Sequence, residues 1–394
     1  VTERRRLPPQ IKRVELAQRD GGRPVIRYQL TVDVGDVDGK RKQLRKRYAT
    51  EKEARAALDA IRGEVSRGTY VHPTKVTLAE ACEDWLAAKH GLKPSTLHGH
   101  RVNLTAAIAE VGHVEVQKLT KRHLDDLVTK LRAGGLSSPT GKTRKPWSPR
   151  SINYMLGLLT AVLKDQMRQG HAVRNVAELV DRIPADAKPA ETFTPTELQK
   201  VLDHIDGDRY AIAWQLALTG LRRGEVAGLR WTDIDLESRT LQIATTRLRF
   251  GKHLVEDTPK SRAGRRTLPI PDHLVATLRS TRAIQAADKL MLGEEYDPSG
   301  FVVVNEWGAA LSPHALTSRW ARILKAAGVR HIRYHDARHT CGTLMHLQDV
   351  PIAVISAWLG HASKAFTMQT YVHSQPEALA TAAASFSRVV RRVD

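Results

Sequence analysis

Hydrophobic positions recur along this chain in two rhythms, and the change between them divides it. Near the start, Val25-Ile26-Arg27-Tyr28-Gln29-Leu30-Thr31-Val32 alternates and is rich in β-formers, which predicts a strand. Asp38-Gly39 suits a hairpin turn, and Gln43 to Tyr48 predicts the returning strand. Thr50-Glu51-Lys52-Glu53 is a capping box, opening a helix to about Val65. From Thr77 the helical period takes over. Thr77-Leu78-Ala79-Glu80 caps a helix whose Leu78, Ala81, Trp85 and Leu86 share one face. Pro94-Ser95-Thr96 starts a second, to about Val111, and Thr120 caps a third with Leu124, Leu127, Val128 and Leu131 as its stripe. Ser148-Pro149 opens a long fourth helix, with Ile152, Met155, Leu156, Leu159, Val162 and Leu163 facing inward. Four amphipathic helices predict a compact bundle, and these stripes belong to its core.

Beyond a Pro- and Ala-containing joint at Ile183 to Pro189, Thr194-Pro195-Thr196-Glu197 is a further capping box. Leu216 to Val226 reads as an apolar helix, a break at Gly220 and a second helix start. Leu241-Gln242-Ile243-Ala244 predicts a β-region, and Thr258 to Ile270 a turn with a returning strand. A helix is expected from His335 through Leu347, another from Val350 to a stop at Gly360, and an Ala-rich one from Pro376 to about Val390. With a linker at Gly68 to Lys75, the divisions are 1–72, 73–185 and 186–394. The class is multidomain α+β: a small sheet with one helix, a helical bundle, and a mainly helical part with a small sheet.

Charge changes the picture more than composition does. The chain carries 62 Lys and Arg against 42 Asp and Glu, a formal net charge of +20. Dividing it at Lys75 and Lys188 gives roughly +9, +6 and +5, so every part is basic. That balance points to a polyanion, and nucleic acid leads. A basic sheet can lie in a groove, which makes Arg27, Arg45 and Arg47 candidate DNA contacts. The loop from Gly134 to Pro149 adds Lys142, Arg144 and Lys145, with Arg150 just beyond. No apolar run approaches a membrane span, no apolar region follows the basic N-terminus, and Cys82 and Cys341 fit no metal spacing. A reducing cytoplasm and no membrane are expected.

Reactive groups concentrate between His335 and Tyr371. His335 and Arg338 are three apart and share a helix face. His361 follows Gly360, and Tyr371 stands ten residues later. Upstream, Arg222 sits at the Gly break, where Glu225 can cap the next helix and steady an arginine, and Lys260 lies in a basic turn. Each signal alone is ordinary: an arginine pair on a surface, a lysine in a loop. Another reading sets His335 and His339 as zinc ligands with His361 or His373. It lacks the glutamate that metalloproteases place between such histidines, and it leaves the arginines unexplained.

Taken together, Thr219-Gly220-Leu221-Arg222-Arg223-Gly224-Glu225, Lys260, His335-x-x-Arg338, Leu359-Gly360-His361 and Tyr371 resemble the active-site set of the tyrosine recombinases, in order and spacing. The whole chain is similar to the branch of phage and integrative-element integrases. The resemblance implies an arm-type DNA-binding domain with a three-stranded sheet, a helical core-binding domain, and a catalytic domain. It implies Tyr371 as nucleophile forming a 3′-phosphotyrosyl link, Arg222 and Arg338 on the scissile phosphate, Lys260 as acid to the leaving 5′-oxygen, His335 as base or shuttle, and His361 as a phosphate ligand. The family pattern puts the catalytic arginine directly after Thr-Gly-x, hence Arg222 rather than Arg223. No metal, ATP or other cofactor is implied. The implied partners are double-stranded DNA at core and arm-type sites, three further copies in a tetramer, with the C-terminal tail packed either on a neighbouring copy or on its own domain, and accessory proteins of two kinds: a directionality factor and a host DNA-bending protein. Telomere-resolving enzymes and type IB topoisomerases share the chemistry, and the arm-like N-terminus favours an integrase. The alternative is a catalytically silent DNA-binding regulator of the same fold.

Overall fold

A computed structural model describes residues 6–20, 23–37, 40–67, 70–71, 73–136, 141, 143–185, 190–259, 262–361 and 367–368. Lys142, Lys260, Tyr371, His373, the Asp38-Gly39 turn and the tail from Pro376 lie outside the described residues. The chain divides into two units, 1–185 and 186–394.

The first unit opens with an antiparallel sheet of β1 (Ile11–Asp20), β2 (Arg23–Val37) and β3 (Lys40–Tyr48), in that order. Helix α1 (Glu51–Ser66) covers one face. The Thr50 hydroxyl accepts from the Glu53 N–H at 3.2 Å, while the Glu53 carboxylate accepts from the Thr50 N–H at 3.3 Å, so two orphan donors are satisfied. Strand alternation sends Ile11, Leu30 and Val32 against Ala54, Leu58 and Ile61, which form a small buried core. Residue alternation alone predicts no strand at β1. Its sequence, IKRVELAQRD, is too polar to alternate clearly, and pairing with β2 holds it.

A second core lies among α2 (Leu78–Ala87), α3 (Pro94–Val111), α4 (Lys121–Ala133) and α5 (Pro149–Arg168). Leu78, Leu86, Leu124, Leu127, Ile152, Leu156 and Leu159 are each at most 1% exposed, so the helical stripes face one another. Pro94 and Pro149 occupy first-turn positions, where a missing N–H costs nothing.

The second unit is mainly helical. Helices α6 (Pro195–Ile205), α7 (Ala211–Leu218) and α8 (Arg223–Gly228) lead to β4 (Ile234–Asp235) and β5 (Thr240–Ile243). A hairpin of β6 (Thr246–Phe250) and β7 (His253–Asp257) follows, and β8 (Arg266–Pro269) returns to pair with β5. Then come α9 (Asp272–Leu292), α10 (Pro313–Ala326), α11 (Tyr334–Leu347) and α12 (Ile352–Leu359). Trp214, Trp320 and Tyr334 pack mutually with centroids 5.8–6.2 Å apart at the centre of the core. The Tyr334 hydroxyl donates to the Ala213 carbonyl at 3.2 Å, pinning the start of α11 to α7. His335, next in the chain, is aimed by that anchor. Among the described residues no helix is long and apolar enough to cross a membrane.

Candidate active site and DNA-facing surfaces

The site grows around the C-terminal end of α12. The last carbonyls of a helix lack intrahelical partners and carry the negative end of its dipole. Here three successive carbonyls each accept from a different arginine. The Trp358 oxygen takes Arg266 Nε at 2.6 Å, the Leu359 oxygen takes Arg338 Nη2, and the Gly360 oxygen takes Arg222 Nη2 at 2.6 Å. These arginines come from β8, from α11 and from the residue capping α8. Gly360 ends the helix in the left-handed region at φ 63°, and a Cβ there would lie 2.7 Å from the Ala263 carbonyl. His361 emerges directly after.

The turn between α7 and α8 docks on the same helix end. Trp358 Nε1 donates to the Thr219 carbonyl at 2.8 Å, and Arg338 Nη1 to the Gly220 carbonyl at 2.7 Å. Gly220 has φ 105°, a backbone angle that requires glycine, and a Cβ there would also have to displace Leu359 Cδ2, 2.8 Å away. Arg338 is 2% exposed, its guanidinium buried among these carbonyls.

Glu225 supports the arginines from beneath. Its Oε1 accepts Arg222 Nη1 at 2.6 Å and Arg266 Nη1 at 3.2 Å. Its Oε2 accepts the Arg222 N–H at 2.9 Å and Arg266 Nη2 at 3.1 Å. Four donors saturate one carboxylate. Burial would raise its pKa, but the Arg266 bonds and the charges of Arg266 and Arg222 prevail and hold it below the ordinary value. Arg266 was not among the residues expected from sequence. It sits in the basic run Ser261-Arg262-Ala263-Gly264-Arg265-Arg266, where nothing in the pattern separates it from its neighbours.

Two imidazoles share this electrostatic environment. Burial first, then His339, Arg338 and Arg222, depress the His335 pKa to about 4. Burial, followed by Arg338 and Arg222, takes His361 to about 3. Both are therefore neutral at neutral pH. His361 Nδ1 lies 2.8 Å from the Thr367 hydroxyl, and His335 stacks edge-to-face on His339 with centroids 5.0 Å apart. Among the described residues no three His, Cys, Asp or Glu side chains gather as metal ligands. Arg222, Glu225, His335, Arg338 and His361 are thus brought together, while Lys260 and Tyr371 lie outside the described residues.

The other candidates fall on two surfaces of the first unit. Leu30 faces α1, so Arg27 takes the opposite face of β2. Gln29 pairs with Arg47 and Thr31 with Arg45, which places all three arginines on the open face of the sheet. Lys12, opposite Gln29, joins them. Arg47 Nε donates to the Gln29 side chain at 3.3 Å. In the bundle, Arg144 lies over the Trp147 ring at 5.8 Å, and Lys145 and Arg150 are exposed beside it.

Known proteins match two stretches of this chain. The phage integrase family pattern matches residues 191–378, and an Arm DNA-binding domain matches residues 18–65. A tyrosine recombinase XerC-like protein of Caldanaerobacter subterraneus subsp. tengcongensis is 28% identical over 375 residues, covering 89% of this chain and 93% of its own. The integrase of Mycobacterium phage L5 is 24% identical over 370 residues, covering 90% and 94%. In fold, the chain is similar to the Tn1549 transposon integrase in complex with transposon right end DNA, with a TM-score of 0.64 at 19% identity over 80% of this chain and 99% of that one. It is also similar to a lambda integrase tetramer bound to a Holliday junction, with a TM-score of 0.57 at 17% identity over 94% and 96%. Residues 191–378 thus form a phage integrase family domain, and residues 18–65 an Arm DNA-binding domain.

Proposed function

We propose that this protein is a site-specific recombinase that integrates a phage or other mobile element, cutting and rejoining DNA through a phosphotyrosyl intermediate. The observation that carries the reading is the convergence of Arg222 and Arg338 on neighbouring carbonyls at the end of α12, with His361 next in the chain. Guanidinium forks suit the non-bridging oxygens of a phosphate diester, on which charge builds in a pentacoordinate transition state. Arg338 is oriented by two carbonyls, and Arg222 by one carbonyl and Glu225, before substrate arrives, so little reorganisation accompanies the reaction.

In this reading Tyr371 attacks the scissile phosphate, forming a phosphorus–oxygen bond to the phenol and releasing the 5′-hydroxyl. The stored covalent bond makes an ATP requirement unnecessary. His335 is the proton acceptor or shuttle. Its depressed pKa keeps it neutral in the free protein, and a bound phosphate anion, opposing the arginines, raises its basicity. His361 hydrogen-bonds the phosphate, Lys260 protonates the leaving 5′-oxygen, and no metal is needed.

The divisions 1–72, 73–185 and 186–394 then serve as arm-binding, core-binding and catalytic domains. Arg27, Arg45 and Arg47 would enter an arm-site groove from the open sheet face, and Lys142, Arg144, Lys145 and Arg150 would touch core-site phosphates. The working form is a tetramer on DNA at the nucleoid, in the bacterial cytoplasm, with a directionality factor and a host bending protein as accessories.

The test is incubation with nicked duplexes of randomised sequence in EDTA, without nucleotide. SDS-stable protein–DNA adducts enriched for one sequence are expected. Selective DNA binding with no adduct would overturn the recombinase reading and leave the silent regulator.

A further inference from the structure

Two adjacent arginines follow Gly220-Leu221, and only Arg222 enters the site described above. Arg223 leaves in another direction. Its Nη1 donates to the Thr317 hydroxyl on α10 at 2.8 Å, and that hydroxyl spends its own proton on the Pro313 carbonyl at 3.3 Å. Arg222 is meanwhile fixed on Glu225 and on the end of α12. The two guanidiniums are therefore held on separate elements, and a single phosphate oxygen pair does not account for both.

Arg223 lines a cleft of about 490 Å³ with Arg222, Arg247, Arg249, Arg333 and His335, and no carboxylate is among its described lining residues. Most of these arginines are already committed. Arg222 is paired with Glu225, Arg333 with Asp336 through two bonds of 2.8 Å, and Arg247 is buried against Phe301 with its guanidinium 4.6 Å from the ring centroid. Arg223 and the exposed Arg249 on β6 form no ion pair with any described carboxylate. Two uncommitted guanidiniums, one tethered by a neutral hydroxyl, border a cationic cleft that opens beside the scissile-phosphate ligands. That arrangement suits a second anion of the same strand.

We propose that Arg223, oriented by Thr317 and assisted by Arg249, binds a non-scissile phosphate next to the one held by Arg222 and Arg338, and so sets the register of the DNA strand. This rests on the recombinase reading. It makes Arg223 a positioning residue rather than a second copy of Arg222.

The experiment uses the full-length protein and the half-site that wild type selects, carrying one neutral methylphosphonate at each phosphate in turn. Binding and adduct formation are measured separately. For wild type, one flanking position within about two nucleotides of the cut should weaken binding about tenfold to a hundredfold, the range of a lost charged hydrogen bond. Arg223→Ala should lose a similar factor on ordinary DNA and nothing further at that position. Arg223→Lys should recover part of the loss, and Thr317→Val should fall between. Arg223 is exposed, so its removal leaves the fold intact. Losses from Arg223→Ala and from methylphosphonate that multiply at every flanking position would overturn the proposal. So would non-additivity confined to the scissile phosphate, which would give Arg223 the role of Arg222. The binding arm needs no cleavage, so absence of adducts from wild type would count against the recombinase reading alone.

Discussion

Replacing Glu225 with alanine tests the support beneath the arginines. The carboxylate is 1% exposed and accepts four hydrogen bonds from Arg222 and Arg266, whose side chains are 35% and 8% exposed. Its removal leaves two guanidiniums facing a cavity, one of them buried and without its counter-ion. Breaking a buried pair from one side costs about 3–5 kcal/mol. At about 1.4 kcal/mol per decade, this is a loss of roughly two to three and a half decades in the unfolding equilibrium. Hydrogen-exchange mass spectrometry of the full chain, read on peptides covering 211–228 and 352–361, should register that loss, while peptides of α2 to α5 stay unchanged. Glu225→Gln keeps one acceptor oxygen and should cost less, about 1–3 kcal/mol. The sign with pH also follows. The folded pKa lies below the unfolded one, so the stabilisation is complete above the unfolded carboxyl value and fades as pH falls through the folded value. Glu225→Gln should therefore flatten the acid limb of the stability curve. Protection in Glu225→Ala within tenfold of wild type would show that the carboxylate does not hold these arginines in place.

Other outcomes follow from the same geometry. Gly220→Ala forces φ 105° on a residue with a Cβ and presses it 2.8 Å from Leu359, so thermal unfolding should show a loss of at least about 1–3 kcal/mol. His335 and His361 have folded pKa values of about 4 and about 3, below the unfolded value near 6.5. The unfolded chain then binds more protons, and stability should fall from about pH 6.5 downward, by up to about 1.4 kcal/mol per unit for each. Proton NMR should find neither ring titrating between pH 8 and pH 6 in the free protein. Burial raises the thiols of Cys82 and Cys341 to about 12, so neither should react with N-ethylmaleimide at pH 7 until the chain unfolds.

Capping boxes made much of the fold legible. Thr50, Thr77, Thr120 and Thr194 each cap a helix within a residue of its expected start, because their bonds are local and written in adjacent residues. Strand β1 and helix α9 were illegible for the opposite reason. Among the described side chains of β1 only Ile11 is buried, and the 21 residues of α9 bury Leu274, Val275, Leu278 and Thr281, so neither carries a full apolar period. In the site, the pairing of Glu225 with Arg222 could be read from their spacing. Arg266 could not, since its partners Glu225 and Trp358 are 41 and 92 residues away and appear only once β8 docks beside α12.

The proposed attack of Tyr371 on a phosphate held by Arg222 and Arg338 leaves a covalent mark on the protein. The most direct measurement traps the covalent adduct on a nicked half-site in EDTA, digests it, and maps the nucleotide-bearing peptide by mass spectrometry. A single adduct is expected, a 3′-phosphate ester on Tyr371, absent from Tyr371→Phe and reduced at least a hundredfold by Arg222→Ala or Arg338→Ala, as when a transition-state donor is removed. An adduct on any other residue, or one that survives in Tyr371→Phe, would contradict it.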